Sequence, residues 1–374
     1  MRIGVPKEVK VHEYRAGLTV EGVAELCRRG HRVVVESGLG QGIGADDGAY
    51  ASAGADVVRS GAEVFAAAEL IVKVKEPQPA ELALLRRGQT LFAYLHLAPD
   101  PAQARGLVDS GATAIAFETV TDERGGLPLL APMSEVAGRM AVQVAAHFLE
   151  KTHGGRGVLL SGAPGVPPAT VVVLGAGTVG TAAARLAVGA GAQVVVLNRG
   201  LARIQELDAL FGGRVITVAS SAAAIGAWVT RADAVIGAAL VPGGSAPKLV
   251  SAEMVRGMKP GAVVVDVAID QGGCFETSRP TTHADPVYAV NGIIHYAVTN
   301  MPGAVPHTST YALANATLPF VVALAEKGTA RALAEDAGLR AGLNVHAGRI
   351  THPAVAAALK VDYVPPLDAL SRGS

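Results

Sequence analysis

Val171-Val172-Val173-Leu174-Gly175-Ala176-Gly177-Thr178-Val179-Gly180 decides the fold of this chain. A β-branched apolar run ends in G-A-G-T-V-G and opens onto alanine-rich sequence that reads as a helix. Gly175 permits the tight turn, Gly177 lets backbone approach a pyrophosphate, and Gly180 lets helix and strand pack closely. The helix N-terminus at Thr178 and Val179 offers free N–H groups and a positive dipole end to phosphates. A bare G-x-G-x-x-G also occurs in turns that only pack. Here strand, turn and helix stand in order, and a second apolar run, Gln193–Leu197, follows at βαβ distance. The expectation is a dinucleotide site on Gly175, Gly177, Thr178, Val179 and Gly180.

Beyond this anchor, Arg214–Thr217, Ala234–Ile236 and Ala262–Val267 read as further strands with helical stretches between them, a doubly wound domain. Before it, Met1–Val5, Arg32–Glu36, Leu70–Lys73, Thr90–Leu95 and Thr113–Phe117 are strand-like. Helical stretches intervene, among them Val20–Arg29 and Pro101–Ser110, the latter with proline in its first turn. Alternation of this kind predicts a second parallel sheet. Met133–Lys151 reads as a long connecting helix starting near Ser134, and the Gly/Pro-rich Thr152–Pro168 as a boundary loop. A second long helix is expected over Thr308–Lys327, with helical pieces in the tail. The fold class is therefore α/β with two domains. A Rossmann-type doubly wound parallel sheet over 133–305 is inserted into a second α/β catalytic domain, 1–132 and 306–374, joined by the two long helices.

Composition narrows the function. The 374 residues suffice for two or three domains with sizeable cores, and half are hydrophobic while aromatics are only 4%, which suits tightly packed α/β layers and argues against disorder. A formal net charge of +0 gives no footprint for nucleic acid or an acidic membrane. Cys27 and Cys274 make no disulfide framework, so a reducing compartment is expected. The opening Met1-Arg2-Ile3-Gly4-Val5-Pro6-Lys7 has no signal-peptide core, and no apolar run reaches the ~18–20 residues of a membrane helix. The expectation is a cytoplasmic protein.

Three residues fall where strand carboxyl ends of the first sheet should lie, the place ligands gather in parallel α/β sheets. These are Arg15 in Glu13-Tyr14-Arg15, Lys75 in Val72-Lys73-Val74-Lys75-Glu76-Pro77, and His96 after Leu91–Leu95. A guanidinium grips a carboxylate, an ammonium adds a point charge, and an imidazole exchanges a proton near neutral pH, as an amino-acid or keto-acid site requires. Each is also a common solvated loop residue when taken alone. Asp270 closes the run Val263–Asp270 and faces the nicotinamide end of the cleft, with Asp266 as a competing candidate. Cys274 reads as a buried inert thiol and His295 as a core or strand-end histidine. His346 and His352 lack a ligand spacing, so no required metal is expected.

Taken together, these residues resemble the alanine dehydrogenase family, shared with the NAD-binding subunit of proton-translocating transhydrogenase. The resemblance spans nearly the whole chain: Ile3-Gly4-Val5-Pro6-Lys7-Glu8, Glu13-x-Arg15, Val72–Pro77, Tyr94-Leu95-His96-Leu97, Pro132–Met140, Val265–Gly273 and Asn300–Pro306. It implies reversible oxidative deamination of L-alanine to pyruvate and ammonia with NAD. It also implies a substrate carboxylate held by Arg15 and Lys75, acid/base work by His96, and help from Asp270 at the amine and its attacking water. Ser134, Ser220, Leu240, Val267, Val298, Asn300 and Met301 would line the cofactor, in a homo-oligomer, commonly a hexamer.

In two places the sequence departs from the family. An Asp usually ends the second cofactor-domain strand and holds the adenosine ribose; here Leu197 is followed by Asn198-Arg199-Gly200, with Arg203 beyond. Losing a carboxylate and gaining guanidinium suits a 2′-phosphate, so NADP use is an open alternative to NAD. Asn198 bonding the ribose while Arg199 points to water is the other reading. The family's frequent proline after Thr19 is also missing. Rival readings of the whole are a transhydrogenase-like subunit, a dehydrogenase of another small amino acid or imine, and a cofactor-sensing protein.

Overall fold

The structure is a computed structural model describing residues 1–239 and 246–371. In chain order its strands are β1 (Arg2–Val5), β2 (Arg32–Glu36), β3 (Asp56–Val58), β4 (Leu70–Val72), β5 (Thr90–Ala93), β6 (Thr113–Ala116), β7 (Thr170–Leu174), β8 (Gln193–Asn198), β9 (Val215–Ala219), β10 (Ala234–Gly237), β11 (Val263–Asp266), β12 (Val287–Val290), β13 (Ile293–Tyr296), β14 (Leu343–His346) and β15 (Arg349–Ile350). The chain divides into two compact units, Met1–Met133 with Gly303–Ser374, and Ser134–Pro302.

In the first unit the strands lie in the order β15-β14-β6-β5-β4-β1-β2-β3. β1 to β6 are mutually parallel, and the winding reverses between β1 and β4. β4, β5 and β6 are buried at every position, as a parallel sheet covered on both faces demands. Phe65, Ile71, Leu91, Leu107 and Val345 belong to one core cluster of this unit. The helix Pro306–Lys327 is long and apolar enough to cross a membrane by length and composition. It buries Leu313, Val321 and Leu324, and its Thr310 Oγ1 accepts a hydrogen bond from Ala16 N at 3.1 Å, which is the behaviour of a core helix.

The second unit's order is β12-β13-β11-β10-β7-β8-β9. The six parallel strands follow the doubly wound order with reversal between β7 and β10, which sets the Gly175 turn at the switch point.

Several expectations are corrected. Neither sheet is wholly parallel: β14 runs antiparallel to β6 and β15, and β12 antiparallel to β13. The tail is not only helical. β14 and β15 are four and two residues long, too short for any periodicity to show, and the turn between them at Ala347-Gly348 carries φ of 48° and 81°. The long helix begins at Ala131, so Ser134 sits inside its first turns and does not cap it. The Gly/Pro-rich stretch 152–168 lies within the second unit, not at a unit boundary. β11 ends at Asp266, and Asp270 belongs to the short 3-10 turn Ile269–Gln271.

Candidate active site

The first unit's reversal point separates the loops leaving β1 and β4, and Glu8 ties them together. Its Oε1 accepts the backbone N–H of Val74 at 2.7 Å and of Lys75 at 3.3 Å. Its Oε2 lies 3.2 Å from Lys73 Nζ, which donates to Glu81 Oε1 at 2.7 Å. Lys73 is wholly buried. Burial alone would lower its pKa, and the flanking Glu8 and Glu81 carboxylates override that and raise it. Burial pushes the Glu8 carboxyl up against the pull of Lys73. This buried network fixes the backbone that carries the half-buried Lys75.

Arg15 is buried and pairs with Glu13 through Nε to Oε1 at 2.7 Å and Nη2 to Oε2 at 2.5 Å. Its Nη1 is 3.0 Å from Met133 Sδ. Burial opposes the charge on Arg15, but Glu13 more than compensates and raises its pKa.

His96 follows β5, exposed, with φ of 50°. Left-handed backbone at a residue other than glycine costs about 1–3 kcal/mol and persists only where its surroundings enforce it. Here Glu118 does so, accepting from His96 N at 2.6 Å and from Leu95 N at 3.2 Å. The imidazole stacks on buried Tyr94, whose Oη donates to Leu129 O at 2.5 Å, and Nδ1 is 3.9 Å from Glu76 Oε2. Burial would raise the Glu76 carboxyl, but His96, Lys10 and Lys75 together hold it at about 2.

In the second unit the glycine turn has the geometry of a diphosphate cradle. Gly175 has φ of 108°, and a Cβ on it would meet Ala238 O at 2.7 Å. A Cβ on Gly180 would collide with Gly175 O, whereas Gly177 faces open space. No side chain caps the helix Thr178–Gly189. Open space at Gly177 beside an uncapped helix N-terminus fits a dinucleotide's diphosphate.

Asn198 ends β8. Its Oδ1 accepts from Ala176 N at 3.2 Å, and its Nδ2 donates to Gly200 O at 3.1 Å. Arg199 is exposed. Arg203 is engaged by the turn itself: Nε donates to Ala176 O at 2.6 Å, Nη2 to Thr181 Oγ1 at 2.9 Å, and Nη1 pairs with Glu206. Ser220, just after β9, donates its N–H to Asn198 O at 2.9 Å. Val267 N donates to Gly237 O at 3.0 Å, Val298 and Met301 are buried, and Asn300 has φ of 62° with its carbonyl 3.1 Å from His283 Nε2. Leu240 lies outside the described residues.

Asp270 is exposed, while Asp266 is spent on structure. Asp266 accepts from the N–H of Cys274 at 2.9 Å, of Phe275 at 3.4 Å and from Ser278 Oγ at 2.6 Å. Burial, then the Asp266 charge, pushes the Cys274 thiol up to about 12, which removes it as a nucleophile at neutral pH. His295 is a buried residue of β13, held by Thr277 and Ile293.

Arg15, Lys75 and His96 thus belong to one unit, and Asp270 and the turn to the other. Sequence reading passed over Glu8, Glu13, Glu76 and Glu118, although each sits within a few residues of a candidate or of a strand end. An acidic residue bonded to backbone amides leaves no spacing signature.

Comparison with known proteins adds the following. The Alanine dehydrogenase/PNT, N-terminal domain family matches residues 4–137 and its C-terminal domain counterpart matches 141–353. An alanine dehydrogenase of Halomonas elongata is 58% identical, covering 97% of this chain and 98% of that one. A solved L-alanine dehydrogenase aligns with a TM-score of 0.94 and 52% identity over 96% of this chain and 99% of that chain. A transhydrogenase structure from Sinorhizobium meliloti aligns at 0.82 with 29% identity, covering 94% and 100%.

Proposed function

The chain belongs to the alanine dehydrogenase/PNT family, and from that premise we propose how its own residues carry out the reversible oxidative deamination of L-alanine to pyruvate and ammonia. It is an oxidoreductase acting on a CH–NH2 group with a nicotinamide dinucleotide. The observation that carries the residue assignments is the Glu8 tie across the reversal point, which sets the Lys75 backbone beside the loop that bears Arg15.

Arg15 and Lys75 bind the substrate carboxylate and so fix Cα, which turns a bimolecular encounter into an effectively unimolecular step. A nicotinamide dinucleotide, when bound, would supply the acceptor for the hydride that leaves Cα. His96 takes a proton from the substrate ammonium and passes it to solvent, and, neutral again, removes a proton from the water that adds to the carbon of the C=N bond. It returns a proton to nitrogen as the C–N bond breaks, releasing ammonia and pyruvate. Asp270 orients the amine and the attacking water. Gly175, Gly177, Thr178, Val179 and Gly180 receive the diphosphate, and Ser134, Ser220, Val267, Val298, Asn300 and Met301 line the nucleotide.

NADPH serves alongside NADH in this reading. β8 ends in the neutral amide of Asn198, where a carboxylate would repel a 2′-phosphate, and the exposed Arg199 adds a cation. Arg203 contributes by bracing the turn. The enzyme works as a cytoplasmic homo-oligomer, a hexamer by family resemblance. The test is oxidation of NADH and NADPH by purified protein with ammonia and a panel of 2-oxo acids. Pyruvate is expected to be preferred, with both cofactors used. Preference for another 2-oxo acid overturns the substrate, and strict use of NADH overturns the cofactor reading.

A further inference from the structure

We propose that His147, Glu150 and His153 form a surface binding site for a divalent first-row transition ion, zinc above all, separate from the dehydrogenase chemistry. The three ligand atoms lie within 4.8 Å of one another and all three residues are exposed. Their spacing, H-x-x-E-x-x-H, has a period of three. That period would scatter ligands around an ideal α-helix, but the backbone tightens where the helix Ala131–Phe148 ends. Glu150 N donates to His147 O at 3.2 Å and His153 N to Glu150 O at 3.1 Å, and Lys151–His153 is a 3-10 turn. Glu150 is extended between the helix and that turn, with φ of -65° and ψ of 143°, and this change of chain direction brings the three ligand atoms together.

The rest of the cluster supports a site. The two imidazoles face each other with centroids 3.9 Å apart, and His153 Nε2 is 3.6 Å from Glu150 Oε2. Phe148 lies edge-on to both rings, at 4.9 Å and 5.9 Å, and walls off one side. Zinc bonds of about 2.0–2.1 Å separate tetrahedral ligand atoms by roughly 3.3 Å, so closure shortens their separations by up to about 1.5 Å, which exposed rotamers supply. Two imidazoles and one carboxylate select zinc, cobalt or nickel over magnesium or calcium, which demand all-oxygen shells. Three protein ligands leave the fourth position to water.

The full-length chain, freed of metal with a chelator, is titrated with Co2+ as a coloured stand-in and then with Zn2+ in competition. One Co2+ per chain with four-coordinate ligand-field bands, displaced by Zn2+, is expected. His147→Ala with His153→Ala abolishes the bands, while His31→Ala, far along the sequence in the other unit, keeps them. Turnover of L-alanine stays unchanged in the double variant and certifies its fold. Should that variant not fold, Glu150→Gln alone weakens Zn2+ by at least about 10-fold. Absence of saturable binding to the unaltered chain, or Co2+ binding that survives the loss of these ligands, overturns the site.

Discussion

Glu13 grips Arg15 along one edge of its guanidinium, Nε to Oε1 at 2.7 Å and Nη2 to Oε2 at 2.5 Å, with both side chains all but fully buried. Removing Arg15 alone therefore strands a buried carboxylate, a loss of about 3–5 kcal/mol. Arg15→Ala is expected to lower the melting temperature and raise KM for pyruvate steeply. Pairing it with Glu13→Gln returns most of the stability and leaves KM high. A paired variant with both stability and KM near normal would remove Arg15 from the carboxylate clamp.

Glu8 acts through Lys75 and not on substrate, so its loss should appear in KM before kcat. Glu8→Ala frees the Val74 and Lys75 amides and leaves the Lys73 ammonium to Glu81, and displacement of Lys75 by about 1 Å costs up to about 10²-fold in kcat/KM. Glu8→Gln keeps an acceptor oxygen and recovers much of this. Equal damage from both substitutions would point to charge, not amide anchoring, as the contribution of Glu8.

The left-handed backbone of His96 separates its chemistry from its folding. His96→Gly relieves the strain at φ 50° and should melt no earlier than the parent, yet lose about 10²–10⁴-fold in kcat. Retained turnover in this variant eliminates His96 as the acid/base.

Cofactor choice rests on the end of β8. Asn198→Asp restores a carboxylate and is expected to cut kcat/KM for NADPH by about tenfold, or about 1.4 kcal/mol, while sparing NADH. Arg199→Ala should weaken NADPH in the same direction. Initial-rate measurements with both cofactors decide this, and an unchanged ratio in both variants rejects it.

Burial holds the His295 imidazole below its ordinary value of 6.5. The unfolded chain then binds a proton that the folded chain refuses. Stability is full above 6.5 and is lost as pH falls from there towards the folded value. His31, His346 and His352 are lowered too, chiefly by burial, and add with the same sign. Melting temperatures should fall on acidification below 6.5, less steeply in His295→Gln. An equally steep fall in that variant would exonerate His295.

The sequence by itself determined what repeats or punctuates. β-branched runs ending in glycine mark parallel strands, and the G-x-G-x-x-G stretch marks a tight strand–turn–helix junction, because local sterics confine such a turn to glycine. Arg15, Lys75, His96 and Asp270 were legible as candidates for the same reason, as charged groups beyond apolar runs. Tertiary structure alone decided that Asp266 is a structural acceptor and Asp270 the exposed one, since only burial and amide partners distinguish two carboxylates four residues apart. It likewise decided that Arg203 braces the turn, that β14 and β15 extend the first sheet, and that Glu8 anchors Lys75. Each depends on atoms far apart in sequence meeting in space, and no periodicity along the chain encodes such a meeting.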